Sequence, residues 1–255
     1  MRVETGDNVM IGGLIINGAG DLQVAIRGIG PSLGQQGISD FLPDPILELR
    51  DSSGSLLVTN DNWQDDPTQA TQLLKLGLAP GNPAESALLR ALQPGAYTAI
   101  IAGTNGGTGV GLVEVYNVDH SVPVANIQLA NISTRGHVET GDNVMIGGFI
   151  LGGGSSNTGI VVRGIGPSLA PSGVSNVLAD PTLELRDSNG MLLIANDNWQ
   201  DDSISAAQLT AHGLAPQNPL ESGIYTALPP GAFTTILAGK DSGTGIGLVE
   251  IYNVQ

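Results

Sequence analysis

Two short acidic loops carry the side chains best suited to chemistry. Each reads Asn-Asp-Asn-Trp-Gln-Asp-Asp, which crowds carboxylate and amide oxygens into one short segment. Calcium prefers oxygen ligands of these kinds and takes about six to eight of them. The sequence therefore predicts a structural calcium ion at each loop. The predicted ligands are Asn60, Asp61, Asn62, Asp65 and Asp66 in the first loop, and Asn196, Asp197, Asn198, Asp201 and Asp202 in the second.

A second interpretation assigns the same acids to local structure. The loops are not EF-hands, because Trp63 and Trp199 interrupt the ligand pattern and no Gly or Glu falls in register. A solvated turn whose Asp and Asn side chains cap the following helix also accounts for this composition. Both interpretations stay open on the sequence alone.

Trp63 and Trp199 are the two tryptophans of the chain, and each lies inside an acidic loop. A tryptophan on a polar loop offers a flat face to a sugar ring, which makes these two the predicted ligand-binding residues of a carbohydrate-binding module. The alternative is a loop anchor, whose ring folds back and is buried. We favour the anchor, because large aromatic side chains dominate the energetics of protein cores.

The motif Arg-Gly-Ile-Gly-Pro-Ser occurs at Arg27–Ser32 and again at Arg163–Ser168. A phosphate-binding loop is rejected, because the spacing matches neither GxGxxG nor GxxxxGK and the proline removes a backbone donor. We interpret the motif as a tight turn that leaves a strand.

The arginine of this motif is predicted to form an ion pair. Glu114 is expected to face inward on an otherwise apolar last strand, where a carboxylate needs a partner. Arg27 is the predicted partner, and the second copy of the motif repeats the pair as Arg163 and Glu250.

Little in the sequence indicates catalysis. The histidines are His120, His137 and His212, and none has a histidine at the matching position of the other half. No GxSxG or HExxH motif occurs. A glycoside hydrolase needs only two carboxylates about 5–9 Å apart, so this enzyme class is kept as the most distant alternative.

These motifs belong to a duplication that organises the whole chain. Asp44–Asp66 recurs as Asp180–Asp202 with 18 of 23 positions identical. VETGDNVMIGG recurs likewise, at Val3–Gly13 and Val138–Gly148. So long a period indicates a duplicated domain rather than a solenoid repeat. We predict a first module at 1–119, a linker at 120–136 and a second module at 137–255.

Within each copy the pattern is that of short strands. Ile46–Arg50 alternates, with Leu47 and Leu49 on one face, and Asp51–Gly54 has the residues of a hairpin turn. Pro67–Gly77 instead has helical spacing and ends in glycine. We therefore predict an all-β fold of two tandem antiparallel β-sandwich, jelly-roll-like domains, each with a short helical insert.

The predicted linker contains a strand-like segment, Asn126–Thr134 (NIQLANIST), directly before the second copy. We predict that it forms the first strand of the second module. The first module shows no equivalent and is expected to keep an open sheet edge. Such an edge pairs readily with a neighbouring chain or with the linker itself.

Charge and composition narrow the classes of partner. The chain has 24 acidic residues against 9 Lys and Arg, a formal charge of −15, which disfavours nucleic acid and anionic membrane surfaces. It has no Cys, and hence no disulfide framework. No apolar run approaches the ~20 residues of a membrane span, and no signal peptide is recognisable. This composition suits an exported bacterial protein, secreted or held at the cell surface.

The ordered motifs NISTRG, TGDNVMIGGF, RGIGPSL, DPTLELRD, NDNWQ and LVEVYN resemble an uncharacterised module that is repeated in large bacterial surface proteins. The second half of each copy is also similar to pre-peptidase C-terminal domains, which are small β-sandwiches. The resemblance implies surface display, binding to a polymer or matrix, and loops stabilised by calcium. It brings no catalytic residues with it.

The leading prediction is therefore a non-enzymatic structural or interaction module of a bacterial surface or matrix protein. It associates with copies of itself or with neighbouring modules by strand pairing. The alternative is a carbohydrate-binding module that uses the acidic loops.

Overall fold

The computed structural model describes residues 1–119, 128–152 and 156–254. Its sheets are antiparallel and only two α-helices occur in these residues, so the predicted all-β class is confirmed. The chain divides into two compact units, Met1–Ala130 and Asn131–Gln255. This division falls inside the predicted linker, of which residues 120–127 lie outside the described residues. Neither α-helix is long and apolar enough to cross a membrane.

Unit 1 contains nine strands and one α-helix in its described residues. The strands are β1 (Arg2–Val3), β2 (Met10–Asn17), β3 (Leu22–Ile29), β4 (Pro45–Asp51), β5 (Leu56–Asn60), β6 (Ser86–Leu92), β7 (Gly95–Gly103), β8 (Gly109–Val110) and β9 (Leu112–Asn117). The helix α1 (Pro67–Lys75) follows β5.

Unit 2 repeats this order. Its first strand, β10 (Gln128–Val138), crosses the division between the units. The others are β11 (Met145–Leu151), β12 (Thr158–Ile165), β13 (Pro181–Asp187), β14 (Leu192–Asn196), β15 (Ser222–Leu228), β16 (Gly231–Gly239) and β17 (Gly245–Asn253). The helix α2 (Ser203–Ala211) follows β14.

Strand order identifies the fold of unit 2. Four of its strands have the order β15-β12-β17-β10 within a larger sheet, and the other four form a separate sheet of order β11-β16-β13-β14. Counted along the unit, these are strands 6-3-8-1 and 2-7-4-5, which is the arrangement of an eight-stranded jelly roll. The predicted jelly-roll-like sandwich is therefore observed directly in the strand pairing.

Unit 1 has the same arrangement with one strand cut short. Four of its strands have the order β2-β7-β4-β5, in a larger sheet in which β2 also neighbours β10. Three more form the sheet β6-β3-β9, and β1 pairs with β8. The counterpart of β10 in unit 1 is thus β1, a strand of 2 residues. The last strand of the jelly roll is split into β8 and β9.

The main core of unit 1 lies between its two sheets. Leu14, Leu47 and Ile101 come from one sheet and pack with Val24 and Ile26 from the other. All five are at most 1% exposed. Alternation along β4 supplies Leu47 to this core, as predicted, since successive side chains of a strand point to opposite faces.

A second apolar layer lies on the other face of β3 and β6. There Leu73 of α1 packs with Ala25 and Leu89. The helix begins at Pro67, as predicted, and ends at Lys75. Gly77 follows with φ +68°, the left-handed conformation that commonly ends a helix.

The hairpin between β4 and β5 forms as predicted. Asp51 Oδ1 accepts hydrogen bonds from the backbone N–H groups of Ser53 (2.9 Å) and Ser55 (3.0 Å). Gly54 has φ +82°, a conformation that glycine adopts without steric cost. Ser53 Oγ also donates to Asp51 Oδ1 (2.7 Å). This side-chain bond contributes most to holding the pKa of the Asp51 carboxyl below its usual value, and the backbone bonds add to it.

Candidate functional site

The last residue of each acidic loop caps a helix. Asp66 Oδ1 accepts hydrogen bonds from the N–H groups of Thr68 (2.9 Å) and Gln69 (3.1 Å) at the start of α1. Asp202 Oδ1 likewise accepts from Ser205 N–H (2.7 Å) at the start of α2. These carboxylates satisfy donors that a helix leaves free at its first turn.

The first residue of each loop ties it to a sheet. Asn60 is 8% exposed, and its Nδ2 donates to Asn62 O (2.9 Å) while its Oδ1 accepts from Ala87 N–H (2.8 Å). Asn196 makes the corresponding bonds to Asn198 O (2.9 Å) and Gly223 N–H (2.8 Å). Most of the predicted calcium ligands thus have structural hydrogen bonds.

The middle carboxylates of the loops bind the backbone of their own turn. Asp65 Oδ2 accepts from Asn62 N–H (3.3 Å), and Asp201 Oδ2 accepts from Asn198 N–H (3.4 Å). No group of three or more Asp, Glu or His side chains stands close enough to hold a metal in residues 1–119, 128–152 and 156–254. Calcium at these loops stays a prediction.

The two loops differ most at Asp61 and its counterpart Asp197. In unit 1, Thr104 Oγ1 donates to Asp61 Oδ1 (3.2 Å). In unit 2, Lys240 stands in place of Thr104, and its Nζ lies 2.5 Å from Asp197 Oδ2 and 3.8 Å from Asp180 Oδ2. The hydrogen bond to Asp197 raises the pKa of Lys240. In unit 2 the Lys240 ammonium therefore neutralises Asp197, whereas in unit 1 the counterpart Asp61 has only the Thr104 hydroxyl beside it.

The two tryptophans also differ. Trp63 is only 6% exposed, packs in the layer beneath α1, and donates through Nε1 to Asn82 O (3.1 Å). Trp199 is half-buried and borders an open depression lined by residues of α2. Its Nε1 is buried and has no hydrogen-bond partner among the described residues. Trp63 has the geometry of a loop anchor; sugar binding at either ring stays a prediction.

A buried carboxylate that the sequence did not reveal holds the Arg-Gly-Ile-Gly-Pro-Ser turn. Glu85 is 0% exposed. Its Oε1 accepts from the N–H groups of Gly30 (3.1 Å) and Ser32 (2.8 Å), and its Oε2 from Ser32 Oγ (2.7 Å) and Asn82 N–H (3.1 Å). The turn is therefore an anion-binding loop after all, but its anion is part of the protein.

Unit 2 repeats this arrangement around Glu221, which is also 0% exposed. Its carboxylate accepts from Gly166 N–H (3.1 Å), Ser168 N–H (2.8 Å) and Ser168 Oγ (2.7 Å). The sequence pattern that could have pointed to these two glutamates is Asn-Pro-x-Glu-Ser, which occurs at Asn82–Ser86 and again at Asn218–Ser222.

The second glycine of the Arg-Gly-Ile-Gly-Pro-Ser turn, Gly30 or Gly166, has no room for a side chain. A Cβ at Gly30 would lie 2.0 Å from Leu42 O, and one at Gly166 would lie 2.0 Å from Leu178 O. A backbone atom cannot retreat from such a contact as a flexible side chain can. These positions therefore require glycine for close approach rather than for phosphate binding.

The predicted ion pairs are confirmed. Arg27 Nη2 lies 2.5 Å from Glu114 Oε2, and Arg163 Nη2 lies 2.5 Å from Glu250 Oε2. Tyr116 Oη donates to Glu114 Oε1 (2.8 Å) and lies 3.2 Å from Arg27 Nη2.

The predicted orientation of Glu114 is wrong in one respect. Glu114 faces the helix-side layer with Tyr116 instead of the core between the sheets. Alternation along β9 sends Val113 and Val115 to that core, so the carboxylate must take the other face.

One edge of strand β9 is unpaired in the described part of unit 1. In the described part of the chain, β9 pairs with β3 and with no strand on its other side. Val118 N–H donates to Gln23 O (3.0 Å). Because antiparallel bonding alternates along a strand, Val113 and Val115 direct their backbone N–H and C=O groups toward the unpaired side.

The counterpart β17 has neighbours on both sides, β12 and β10. In that pairing Thr134 lies opposite Val249, and Ile132 lies opposite Ile251. Val249 is 1% exposed and Ile251 is 5% exposed, whereas their counterparts in β9 are only half-buried. Among the residues that the structure describes, unit 1 therefore leaves exposed both backbone groups and apolar surface that unit 2 covers.

Comparisons with known proteins show no family for this chain. No family model matches it, and no curated protein matches it. Solved structures that align with it include one of Sulfolobus turreted icosahedral virus, with 12% identity, 99% of this chain and 85% of that chain covered, and a TM-score of 0.26.

Another is the major capsid protein P2 of bacteriophage PM2, with 10% identity, 100% of this chain and 98% of that chain covered, and a TM-score of 0.20. Likeness at this level carries no argument about function. The jelly-roll assignment rests on the strand order alone.

Proposed function

We propose that this chain is a non-enzymatic structural module of a bacterial surface or matrix protein. It associates with neighbouring modules of its kind, copies of itself included, by adding a strand to the open edge of β9. The observation that carries the proposal is a contrast between two strands: in the described residues β9 pairs only with β3, whereas β17 pairs with both β12 and β10.

An open edge of this kind favours pairing with a strand from another chain or module. A strand with free N–H and C=O groups is a template for another strand. The half-buried Val113 and Val115 add apolar area that a new strand would remove from water, at about 25 cal/mol per Å². Natural proteins usually protect edges with charge, proline or bulges. The segment Leu112–Asn117 (LVEVYN) has one charge, and Glu114 is already paired with Arg27.

The same contacts argue for a role without catalysis. Glu85 and Glu221 are fully buried and committed to backbone donors. Glu114 and Glu250 are committed to arginines. Carboxylates of this kind hold the fold and do not face a substrate. The structural role, the extracellular setting and calcium at the loops form one proposal that the resemblance to repeated surface modules supports.

The test is light scattering over a range of protein concentrations. We expect the mass to rise with concentration. The variant Val115→Pro removes one N–H from the open edge and leaves the bonds to β3 in place, so it should stay monomeric. Val115→Ala is the matched control, because it loses side-chain packing and keeps the N–H.

Circular dichroism shows that each variant is folded before the comparison is made. A wild-type protein that stays monomeric throughout contradicts the proposal. Equal association of the wild type and Val115→Pro also contradicts it.

A second candidate function, carbohydrate binding, rests on Trp199. Its ring is half-buried and borders an open depression lined by Gln200, Ser203 and Thr210. Aromatic faces and polar groups of this kind bind sugar rings. A glycan array tests it: binding that is lost in Trp199→Ala and kept in Trp63→Phe supports this function, and the absence of any binding rejects it.

A further inference from the structure

Unit 2 leaves its tryptophan more exposed than unit 1 does. Trp63 is 6% exposed, whereas Trp199 is half-buried and borders an open depression. The loop around each ring has the same sequence, Asn-Asp-Asn-Trp-Gln-Asp-Asp. The backbone N–H of each tryptophan also makes the same bond, to Glu85 O (2.9 Å) in unit 1 and to Glu221 O (2.8 Å) in unit 2. The difference in exposure therefore does not come from the loop sequence.

Helix α2 has smaller side chains than α1 beside the tryptophan. In unit 1 the helix lies next to the ring, since Ala70 packs in one cluster with Trp63. Four positions of α2 that line the depression carry a smaller residue than the matching position of α1. The pairs are Pro67 and Ser203, Thr71 and Ala207, Leu74 and Thr210, and Lys75 and Ala211. The smaller set accounts for the space beside Trp199.

The surface of the depression combines apolar area with neutral polar groups. Trp199 Nε1 is buried, so the exposed part of the ring consists of carbon atoms. Ser203 and Thr210 contribute hydroxyl groups, and Gln200 contributes an amide. None of the described residues that line the depression is charged. An aromatic face bordered by hydroxyls and an amide suits a sugar, which has C–H groups on the faces of its ring and hydroxyls at its rim.

Charge near the depression disfavours acidic sugars. Asp201 and Asp202 are exposed, and they lie in the chain between the lining residues Gln200 and Ser203. The whole chain has a formal charge of −15. Because like charges repel, both features oppose the approach of carboxylate or sulfate groups. We therefore expect a neutral glycan at this surface.

We propose that the depression beside α2 binds an uncharged glycan of β-linked glucose units, with one unit stacked on Trp199. β-Glucose has all its hydroxyl groups equatorial, so both faces of its ring are formed by C–H groups that pack on an aromatic face. The small residues of α2 make unit 2, and not unit 1, the binding unit. This inference rests on the second candidate function and specifies its ligand class and the residues that form its site.

The first test adds cellohexaose, a soluble oligomer of β-linked glucose, to the full chain in a calorimeter. The double variant Thr210→Leu, Ala211→Lys copies two residues of α1 into α2, and should weaken binding about tenfold or more because it covers the ring. Both positions are exposed, so the variant should stay folded, which circular dichroism checks.

The matched control for this variant is Ile204→Thr. It also copies a residue of α1, Thr68, onto an exposed position of α2, but Ile204 does not line the depression. The affinity for cellohexaose should therefore stay unchanged.

The second test compares a neutral with an acidic sugar of the same shape. The same oligomer oxidised at C6 carries carboxylates, and we expect it to bind about tenfold more weakly or worse. Raising the salt concentration should reduce this difference, because salt screens exposed charges.

The outcomes separate this inference from the second candidate function. It is overturned if the double variant binds like the wild type, if Ile204→Thr loses as much affinity, or if the neutral and oxidised oligomers bind alike. If cellohexaose does not bind but the glycan array shows another sugar whose binding needs Trp199, carbohydrate binding stands and the proposed ligand is wrong. An array without any binding rejects both.

Discussion

Glu85 and Ser32 are joined by two hydrogen bonds, from Ser32 N–H to Oε1 (2.8 Å) and from Ser32 Oγ to Oε2 (2.7 Å). Fifty-three residues separate them in the sequence. The contact fixes the turn after β3 against the start of β6. In each unit one buried carboxylate thus organises the turn that leaves the third strand of the jelly roll.

Replacing this carboxylate should destabilise unit 1. Glu85→Ala leaves four backbone and hydroxyl donors without an acceptor, and we expect a loss of about 3 kcal/mol or more in the free energy of unfolding. Urea unfolding followed by circular dichroism measures the change. Ser32→Ala, which removes only the hydroxyl bond, should cost about 1 kcal/mol.

Glu221→Ala provides the matched change in unit 2 and should act on the other unit's transition. A loss at Glu85 no larger than that of Ser32→Ala would show that the four bonds do not stabilise the turn.

The tyrosine beside each partly buried ion pair should lose its proton at a higher pH than an ordinary tyrosine. Burial raises the pKa of Tyr252 to about 12, from a usual value of 10.0, and the neighbouring Glu250 carboxylate adds to the shift. Because the folded protein holds this proton more tightly than the unfolded chain, the stabilisation is fully present below about pH 10. It is lost as the pH rises toward about 12.

Ultraviolet titration of the tyrosines checks this. Glu250→Gln should bring the ionisation of Tyr252 to lower pH, and the same protein unfolded in urea serves as the reference. A Tyr252 that ionises at the same pH in the folded and the unfolded protein would contradict the assignment.

We expect calcium to bind the loop of unit 1 more readily than the loop of unit 2, because the Lys240 ammonium already lies against Asp197 in unit 2. We expect calcium to raise the melting temperature through the Asp61 loop. Thr104→Lys, which copies the unit 2 residue into unit 1, should abolish the rise, as should Asp61→Asn. Asp197→Asn should leave it unchanged. No change in the wild-type melting temperature at millimolar calcium would end the prediction.

Local sequence patterns predicted most of the fold because their causes are local. Alternation placed Leu47 in the core, and the Asp-Ser-Ser-Gly turn and the helix start at Pro67 follow from turn and capping chemistry. The partner of Arg27 was found because a carboxylate on an otherwise apolar last strand needs a positive partner, although the face of the strand that Glu114 takes was predicted wrongly.

What sequence reasoning missed depends on contacts between distant segments. Nothing near Glu85 in the chain indicates that it meets the turn at Ser32. Alternation separates Glu114 from Val113, but only the packed structure shows that α1 covers the face that Glu114 takes. The open edge was inferred from the absence of a repeated strand, whereas the pairing of β3 with β9 was needed to show which backbone groups of β9 point away from β3.

Amide hydrogen exchange, resolved by residue on the monomeric protein at low concentration, measures whether the edge of β9 is open. We expect fast exchange at Val113 and Val115 and slow exchange at Glu114 and at the counterparts Val249 and Ile251, with protection appearing at Val113 and Val115 as the concentration rises. Equal, concentration-independent protection at all of these positions would contradict an open edge on β9.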